Sequence, residues 1–333
     1  MSRRTLFISF PIILIIAIYF VGPTPHKNKW STDLPSVPQQ PGELEKFVAA
    51  NESKHKLKPD NEARIVWADS TKRKTEYSVV YLHGFTASEE EGNPVHLDFA
   101  KKFGCNLYLS RLADHGIDTT ETLMYFNGDR FWESAKEAMM IGKAIGEKVI
   151  IMSTSTGGTV ALMLAGEYPE DVHALISLSP NIAVNNGTIW LANNPWGLQI
   201  ARKVVGSDYQ VITDFEEPRL QYWNAKYRLE AVSALQEMIE DKMNKSTFEK
   251  VKCPSLTLYY YKSETEQDPT VKVSAILEMN SQLGTPADMK VEKAIPNAGA
   301  HVIGSKMTSK DLPAVEQAVD QFAVEKLKMT PIQ

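Results

Sequence analysis

Four hydroxyl residues stand in a row within residues 150–158, IIMSTSTGG, after an apolar run and before two glycines. Hydroxyl side chains at such a boundary can cap the first turn of a helix. One of them can also act as a nucleophile, provided that a nearby base takes its proton. The segment alone leaves both interpretations open, so the other chemical groups of the chain must decide between them.

Histidines supply the candidate bases for such a nucleophile. His301 follows the last predicted strand, and His115, which follows an earlier strand, is the alternative. A histidine base also needs a carboxylate that fixes its tautomer and stabilises the imidazolium. Three acidic residues follow another predicted strand and are the candidates for this carboxylate: Glu264, Glu266 and Asp268.

The elements that must position these residues alternate between strand and helix. Most of the strands are apolar on both faces, which is typical of a parallel sheet covered by helices on both sides. In such sheets ligands bind outside the carboxyl ends of the strands, where the candidate residues stand. The predicted strands are residues 63–69, 77–85, 105–112, 148–153, 174–180, 253–261 and 289–296. The predicted helices are residues 41–55, 93–104, 129–146, 158–169 and 273–284, and a final helix with Pro313 in its first turn.

Three segments at strand ends, together with the late Asp268 and His301, carry a resemblance to a known family. The segments are YLHGFTAS at 81–88, SRLADHG at 110–116 and STSTGG at 153–158. From about residue 41 onward the chain resembles the α/β-hydrolase superfamily, most of all its serine carboxylesterases and monoacylglycerol-lipase-like enzymes. The resemblance implies a mostly parallel central sheet flanked by helices, with a mainly helical cap insertion.

The nucleophile turn of this superfamily reads Gly-x-Ser-x-Gly and selects among the four hydroxyls. The turn is sharp and strained, so it needs a small residue two positions before the nucleophile and a glycine two positions after it. Ser155 has Ser153 and Gly157 in these places, although the superfamily usually has glycine at the first. Thr156 would put a β-branched side chain in the strained turn. We therefore expect Ser155 to be the nucleophile.

The resemblance also assigns the base and the acid. His301 is the implied base, whereas His115 matches a segment that shapes a loop or lines the pocket. Asp268 is followed by a short turn to an apolar residue and then a helix, as the acid of the superfamily is. Glu264 or Glu266 remains the alternative acid.

The oxyanion hole is implied to consist of two backbone amides, those of Phe85 and Thr156. Gly84 permits the turn that aims the first amide inward. This chemistry requires no metal and no organic cofactor.

Residues 183–250 interrupt the alternating pattern and are predicted to form a cap, or lid, over the site. They divide the hydrolase core into residues 41–182 and 251–333. The strand order implied by the resemblance separates Cys105 from Cys253 by four strand positions, or roughly 19 Å. A disulfide requires Cα atoms within about 7 Å, so two free thiols are expected.

Residues 1–24 are predicted to be a membrane anchor or a signal peptide. The stretch 5–22 has no charged residue and, as a helix, would reach about 27 Å, close to the thickness of a bilayer core. The absence of a small-x-small cleavage site favours an uncleaved, single-pass anchor with the catalytic domain outside the cytoplasm. A cleaved segment would make the protein secreted. The proline-rich residues 25–40 are predicted to be an unpacked linker.

The sequence thus predicts a serine hydrolase that cleaves carboxylic esters through an acyl-enzyme on Ser155. Acylglycerol-like or short acyl esters are the expected small-molecule substrates. A thioesterase, acyltransferase or peptidase with the same three residues is the alternative, as is a non-catalytic, membrane-tethered binding protein on the same fold. The net charge of −5, with no basic block, argues against a nucleic-acid partner.

Overall fold

The computed structural model describes residue 14 and residues 17–332. A seven-stranded sheet lies at its centre. The strands are β1 (Arg64–Val66), β2 (Thr75–Leu82), β3 (Asn106–Leu109), β4 (Gly146–Thr154), β5 (Ala174–Leu178), β6 (Ser255–Tyr259) and β7 (Lys290–Ala294). They lie side by side in the order β1-β3-β2-β4-β5-β6-β7. Neighbours are parallel except β1 and β3, which are antiparallel.

Each face of the sheet has its own hydrophobic core. Alternation along β2 sends Val80 and Leu82 to one face and Val79 and Tyr81 to the other, and all four are fully buried. The same alternation holds in β4, so both central strands are apolar on both faces.

The described residues also form helices, and most of these helices cover the two faces of the sheet. They are α1 (Pro41–Glu52), α2 (Val95–Phe103), α3 (Gly128–Ile145), α4 (Thr156–Glu167), α5 (Gly197–Val205), α6 (Arg219–Tyr222), α7 (Leu229–Lys242), α8 (Lys245–Phe248), α9 (Val273–Gln282) and α10 (Leu312–Glu325). Helices α2 and α10 pack on the Val79 face, whereas α1, α3, α4, α7 and α9 pack on the Val80 face. Every strand and helix predicted for the core is present, with ends that differ by a few residues.

The insertion, residues 183–250, is mainly helical but also contains an antiparallel hairpin of Tyr209–Val211 with Lys226–Arg228. Its second half belongs to the core, because Ala231 and Met238 of α7 are fully buried in the same cluster as α3 and α4. The part before α7, together with Val232, Leu235 and Gln236 of α7, lines the cavity at the carboxyl ends of the strands.

Both cysteines are free thiols, as the sequence predicted. Cys105 precedes β3 and Cys253 precedes β6, and these strands are four positions apart in the sheet.

Residues 23–40 form an extended segment, here called the strap, that lies against the body. Val37 is only 6% exposed. The fully buried Lys136 donates from Nζ to the carbonyl oxygens of Ser31 (2.8 Å) and Asp33 (2.6 Å), and Trp132 donates from Nε1 to that of Ser31 (2.8 Å). The expectation of an unpacked linker was therefore wrong. An extended chain leaves its carbonyls unpaired, and α3 supplies donors for them.

Most of the predicted anchor, residues 5–22, lies outside the described residues, and the anchor stays a prediction. Within the part of the chain that the structure describes, no helix combines the length and the apolar character that crossing a bilayer demands.

Candidate active site

Ser155 occupies the turn between β4 and α4. Its backbone has φ 52° and ψ −120°, a conformation that residues other than glycine rarely adopt. Gly157 makes the turn possible, because a Cβ there would lie 2.0 Å from the carbonyl oxygen of Leu82. Ser153 fits in the position where glycine was expected, with its buried hydroxyl unpartnered among the described residues. The turn thus raises the Ser155 side chain at the carboxyl end of the sheet.

A continuous chain of hydrogen bonds joins Ser155, His301 and Asp268. His301 Nε2 lies 2.9 Å from Ser155 Oγ, and His301 Nδ1 lies 2.6 Å from Asp268 Oδ2. Asp268 is 1% exposed, and its Oδ1 accepts from the backbone N–H groups of Thr270 (2.8 Å) and Val271 (3.0 Å). With Nδ1–H donating to Asp268, the free lone pair on Nε2 faces the serine hydroxyl.

The electrostatics of the site favour a protonatable His301. Burial alone would lower the pKa of its imidazole, but the adjacent Asp268 carboxylate outweighs burial and raises that pKa above its ordinary value. The adjacent carboxylate thus stabilises the imidazolium that forms when His301 accepts a proton.

The alternative acids do not contact His301. Glu264 accepts from the hydroxyl of Tyr261 (2.9 Å), and Glu266 pairs with Lys262 (2.9 Å). Both carboxylates are exposed on a two-stranded hairpin of Tyr261–Ser263 and Glu266–Gln267 that precedes Asp268.

The alternative base, His115, is packed among aromatic rings away from any carboxylate partner among the described residues. It lies against the rings of His83 and Phe85, and its Nδ1 pairs with the carbonyl oxygen of Ala113 at 2.8 Å. Burial lowers the pKa of His115 to about 4 and that of His83 to about 3, so both are neutral at physiological pH. His83 accepts from the N–H of Leu112 at 2.9 Å. Both histidines brace the loop after β2.

The loop that carries the predicted oxyanion amides lies directly beside the nucleophile. A Cβ on Gly84 would lie 2.9 Å from Ser155 Cβ, so this position accepts only glycine without movement. Phe85 and Thr156 line the same cavity as Ser155 and His301.

A carboxyl group that sequence reasoning missed, Glu91, lies behind this loop. Glu91 is 2% exposed, and its Oε2 accepts from the N–H of Gly84 at 2.5 Å. Burial raises the pKa of Glu91 to about 7, although the hydrogen bond from Gly84 acts against this. The neighbouring buried acids differ from it: Glu89 pairs with Arg64 and Glu90 with Lys306.

The only signal for Glu91 in the sequence is a run of three glutamates between a strand and a helix. Such a run predicts a solvated turn, and nothing in it shows which side chain turns inward.

The cavity above Ser155 has a volume of about 700 Å³, which suits a small organic ligand. Core loops form its floor, and the insertion forms its walls with Ile189, Arg219, Trp223 and Tyr227. Among the described residues, no cluster of three or more histidine, cysteine or acidic side chains could hold a metal ion.

No family model and no curated protein sequence matches this chain. Solved structures do match. A metagenome-derived lipolytic enzyme is 18% identical with a TM-score of 0.61, over 80% of this chain and 99% of its own.

Two further solved structures are similar. A soluble variant of monoglyceride lipase from Saccharomyces cerevisiae is 13% identical with a TM-score of 0.58, over 92% of this chain and 99% of its own. The monoacylglycerol lipase of Paleococcus ferrophilus is 12% identical with a TM-score of 0.57, over 79% and 98%. At these identities the likeness is one of fold, and it confirms the predicted α/β-hydrolase fold class.

Proposed function

We propose that this protein is a serine hydrolase of carboxylic esters. The observation that carries the proposal is the hydrogen-bonded chain Ser155–His301–Asp268 at the floor of a cavity. Its geometry is that of a nucleophile, a base and an orienting carboxylate.

In the proposed reaction, Ser155 Oγ attacks the ester carbonyl carbon while His301 Nε2 takes the hydroxyl proton. The tetrahedral intermediate collapses, the carbon–oxygen bond to the alcohol breaks, and His301 returns the proton to the departing alkoxide. Water then attacks the acyl-enzyme by the same route, which releases the acid and restores Ser155. Asp268 stabilises the imidazolium formed in each half-reaction.

The backbone amides of Phe85 and Thr156 are proposed to bind the oxyanion of the intermediate. Two features support this role. Gly84 holds the first loop against Ser155, and Glu91 fixes Gly84 from behind. Fixed donors of this kind stabilise charge that develops in the transition state, because they need no reorganisation.

Acylglycerol-like or short acyl esters are the proposed substrates. The similar solved structures include lipolytic enzymes and monoacylglycerol lipases, and the cavity walls carry apolar and aromatic side chains. The uncharged residues 5–22 are proposed to anchor the chain in a membrane, with the hydrolase domain on its extracytoplasmic side.

The proposal is tested by fluorophosphonate labelling of the full chain, followed by peptide mapping. We expect the label on Ser155 and its loss in Ser155→Ala. Ser153→Ala is the matched control, because it removes a neighbouring hydroxyl without a partner and should keep the label. A label on another residue, or none on the folded protein, contradicts the proposal. 4-Nitrophenyl esters of increasing chain length then define the acyl group.

A further inference from the structure

Arg219 brings a positive charge to the wall of the cavity that contains Ser155 and His301. Its guanidinium lies 3.7 Å from the ring centroid of Phe215 and 5.4 Å from that of Trp223. Aromatic rings at these distances hold the planar group by cation–π attraction and leave its N–H edge free for an acceptor.

The backbone around Arg219 is fixed to the core. Lys58 donates from Nζ to the carbonyl oxygen of Trp223 at 3.1 Å, and the hydroxyl of Tyr222 donates to Asp60 at 3.0 Å. In addition, the N–H of Asn224 donates to the carbonyl oxygen of Thr86 at 2.9 Å. The guanidinium is thus held in place before any ligand arrives.

Within the described part of the chain, this cation lacks an ion-pair partner. Nε of Arg219 is buried and makes no hydrogen bond, although a buried charged donor without an acceptor is costly. Asp214 and Glu91 are the acids whose charges reach it, and neither forms a salt bridge with it. Glu91 carries only part of its charge at neutral pH, since its pKa is about 7. The cavity therefore presents a half-buried cation that has no salt-bridge partner among the described residues.

We propose that Arg219 is a specificity-determining residue that binds a carboxylate on the substrate, so that the enzyme favours esters bearing a second, anionic group. The inference rests on the proposed ester hydrolysis and names its substrate class. A planar carboxylate matches the guanidinium edge with two parallel hydrogen bonds. A monoanion is favoured over a dianionic phosphate, because Asp214 and Glu91 repel a larger negative charge.

The test compares isosteric pairs of esters with the full-length protein. One pair has the 4-nitrophenyl ester of a dicarboxylic acid and that of its monoamide, so the charge lies on the acyl part. The other pair has butyrate esters of a hydroxy acid and of its amide, so the charge lies on the alcohol. We expect kcat/KM in at least one pair to favour the carboxylate by about tenfold or more, the effect of a charge-assisted hydrogen bond.

Two substitutions then assign the preference to Arg219. In Arg219→Gln the ratio of kcat/KM between carboxylate and amide should fall to about one, and Arg219→Lys should retain part of it. Lys203→Gln is the matched control, because it removes an exposed positive charge from the same insertion outside the cavity and should keep the ratio.

The outcomes separate this inference from the proposed function. If the enzyme cleaves the amide-bearing esters as well as the carboxylate-bearing esters in both pairs, the inference alone is overturned. A preference for the carboxylate that persists in Arg219→Gln also overturns it. So does an equal change of kcat/KM for both members of a pair in Arg219→Gln, which would mean that Arg219 acts only on Glu91. No hydrolysis of any ester, with no fluorophosphonate label on Ser155, overturns both.

Discussion

The N–H of Gly84 donates a hydrogen bond to the carboxyl group of Glu91, 2.5 Å away, immediately behind the nucleophile turn. Ser155 also lies against Gly84, since a Cβ on Gly84 would be 2.9 Å from Ser155 Cβ. A buried acid thus holds the loop that is proposed to bind the oxyanion, and the charge of that acid changes near neutral pH because burial raises its pKa to about 7.

Glu91→Gln should change how stability depends on pH. The folded protein binds the Glu91 proton more tightly than the unfolded chain does, so this group's contribution to stability falls as pH rises from about 4.5 to about 7. The glutamine side chain keeps a hydrogen-bond acceptor for Gly84 but does not titrate, so the variant lacks this pH-dependent contribution to stability. We expect its free energy of unfolding, relative to wild type, to rise by up to about 3 kcal/mol across that range. Urea unfolding at several pH values measures this, and parallel curves would argue against it.

Gly84→Ala should reduce kcat while the protein still folds. The new Cβ would lie 2.9 Å from Ser155 Cβ and 3.0 Å from the Glu91 oxygens, so the nucleophile or the loop must move. A misplacement of this kind costs about 100-fold in rate. Gly187→Ala is the control, because nothing lies within 4 Å of its Cβ and it should behave as wild type. Equal kcat in both variants would refute the expectation.

Asp268→Asn should lower kcat by about 10⁴-fold, because His301 loses the partner that fixes its tautomer. The wild-type kcat/KM should fall as pH drops through the raised pKa of His301, since only the neutral imidazole accepts the serine proton. Without the Asp268 carboxylate, burial lowers the pKa of His301. The pH at which the residual activity falls on the acid side should therefore shift to a lower value. Glu264→Gln tests the alternative acid and should leave kcat within about twofold. A larger loss there than at Asp268 would reverse the assignment.

Ser155→Gly should be more stable than Ser155→Ala by about 1 kcal/mol. Residue 155 has φ 52°, a conformation that costs alanine energy and that glycine adopts freely. Chemical denaturation of the two inactive variants gives the difference directly. Equal stability would mean that the turn is unstrained.

Lys136→Met should destabilise the protein by about 2–3 kcal/mol and expose the strap to proteases. The change leaves the carbonyl oxygens of Ser31 and Asp33 without this donor. Lys74→Met, which removes only an exposed ion pair with Glu147, should change stability by less than about 1 kcal/mol. A strap that resists cleavage in Lys136→Met would show that other contacts hold it.

The architecture could be predicted from sequence because its signals are local. Apolar runs bounded by turns mark the strands, and their alternation with helices specifies a parallel sheet. The Ser155 turn was identifiable because its strained backbone demands small residues at fixed spacing. The carboxyl ends of parallel strands meet at one edge of the sheet, which made two histidines and three acidic residues candidates. The resemblance selected His301 and Asp268 among them, and the structure places both in the hydrogen-bonded chain with Ser155.

The features that sequence reasoning missed depend on partners far along the chain. Glu91 resembles its two neighbours in sequence, and only the packing of the loop shows that it faces Gly84. Arg219 lies in an insertion with weak periodicity, and its place in the cavity wall depends on bonds to Lys58 and Asp60. The strap looked like a free spacer because its main donor, Lys136, reads as an ordinary helical lysine.

The packed strap also limits where the cavity can reach. Eighteen free residues in an extended conformation could place the body about 55 Å from the end of the proposed anchor. Because Lys136 and Trp132 hold the strap along α3, these residues lie on the protein's own surface and do not extend the distance to the anchor. With residues 5–22 in a bilayer, the cavity would stay within a thin layer above the membrane surface while the protein diffuses laterally. Esters that reside in that layer would be encountered far more often than esters in bulk water.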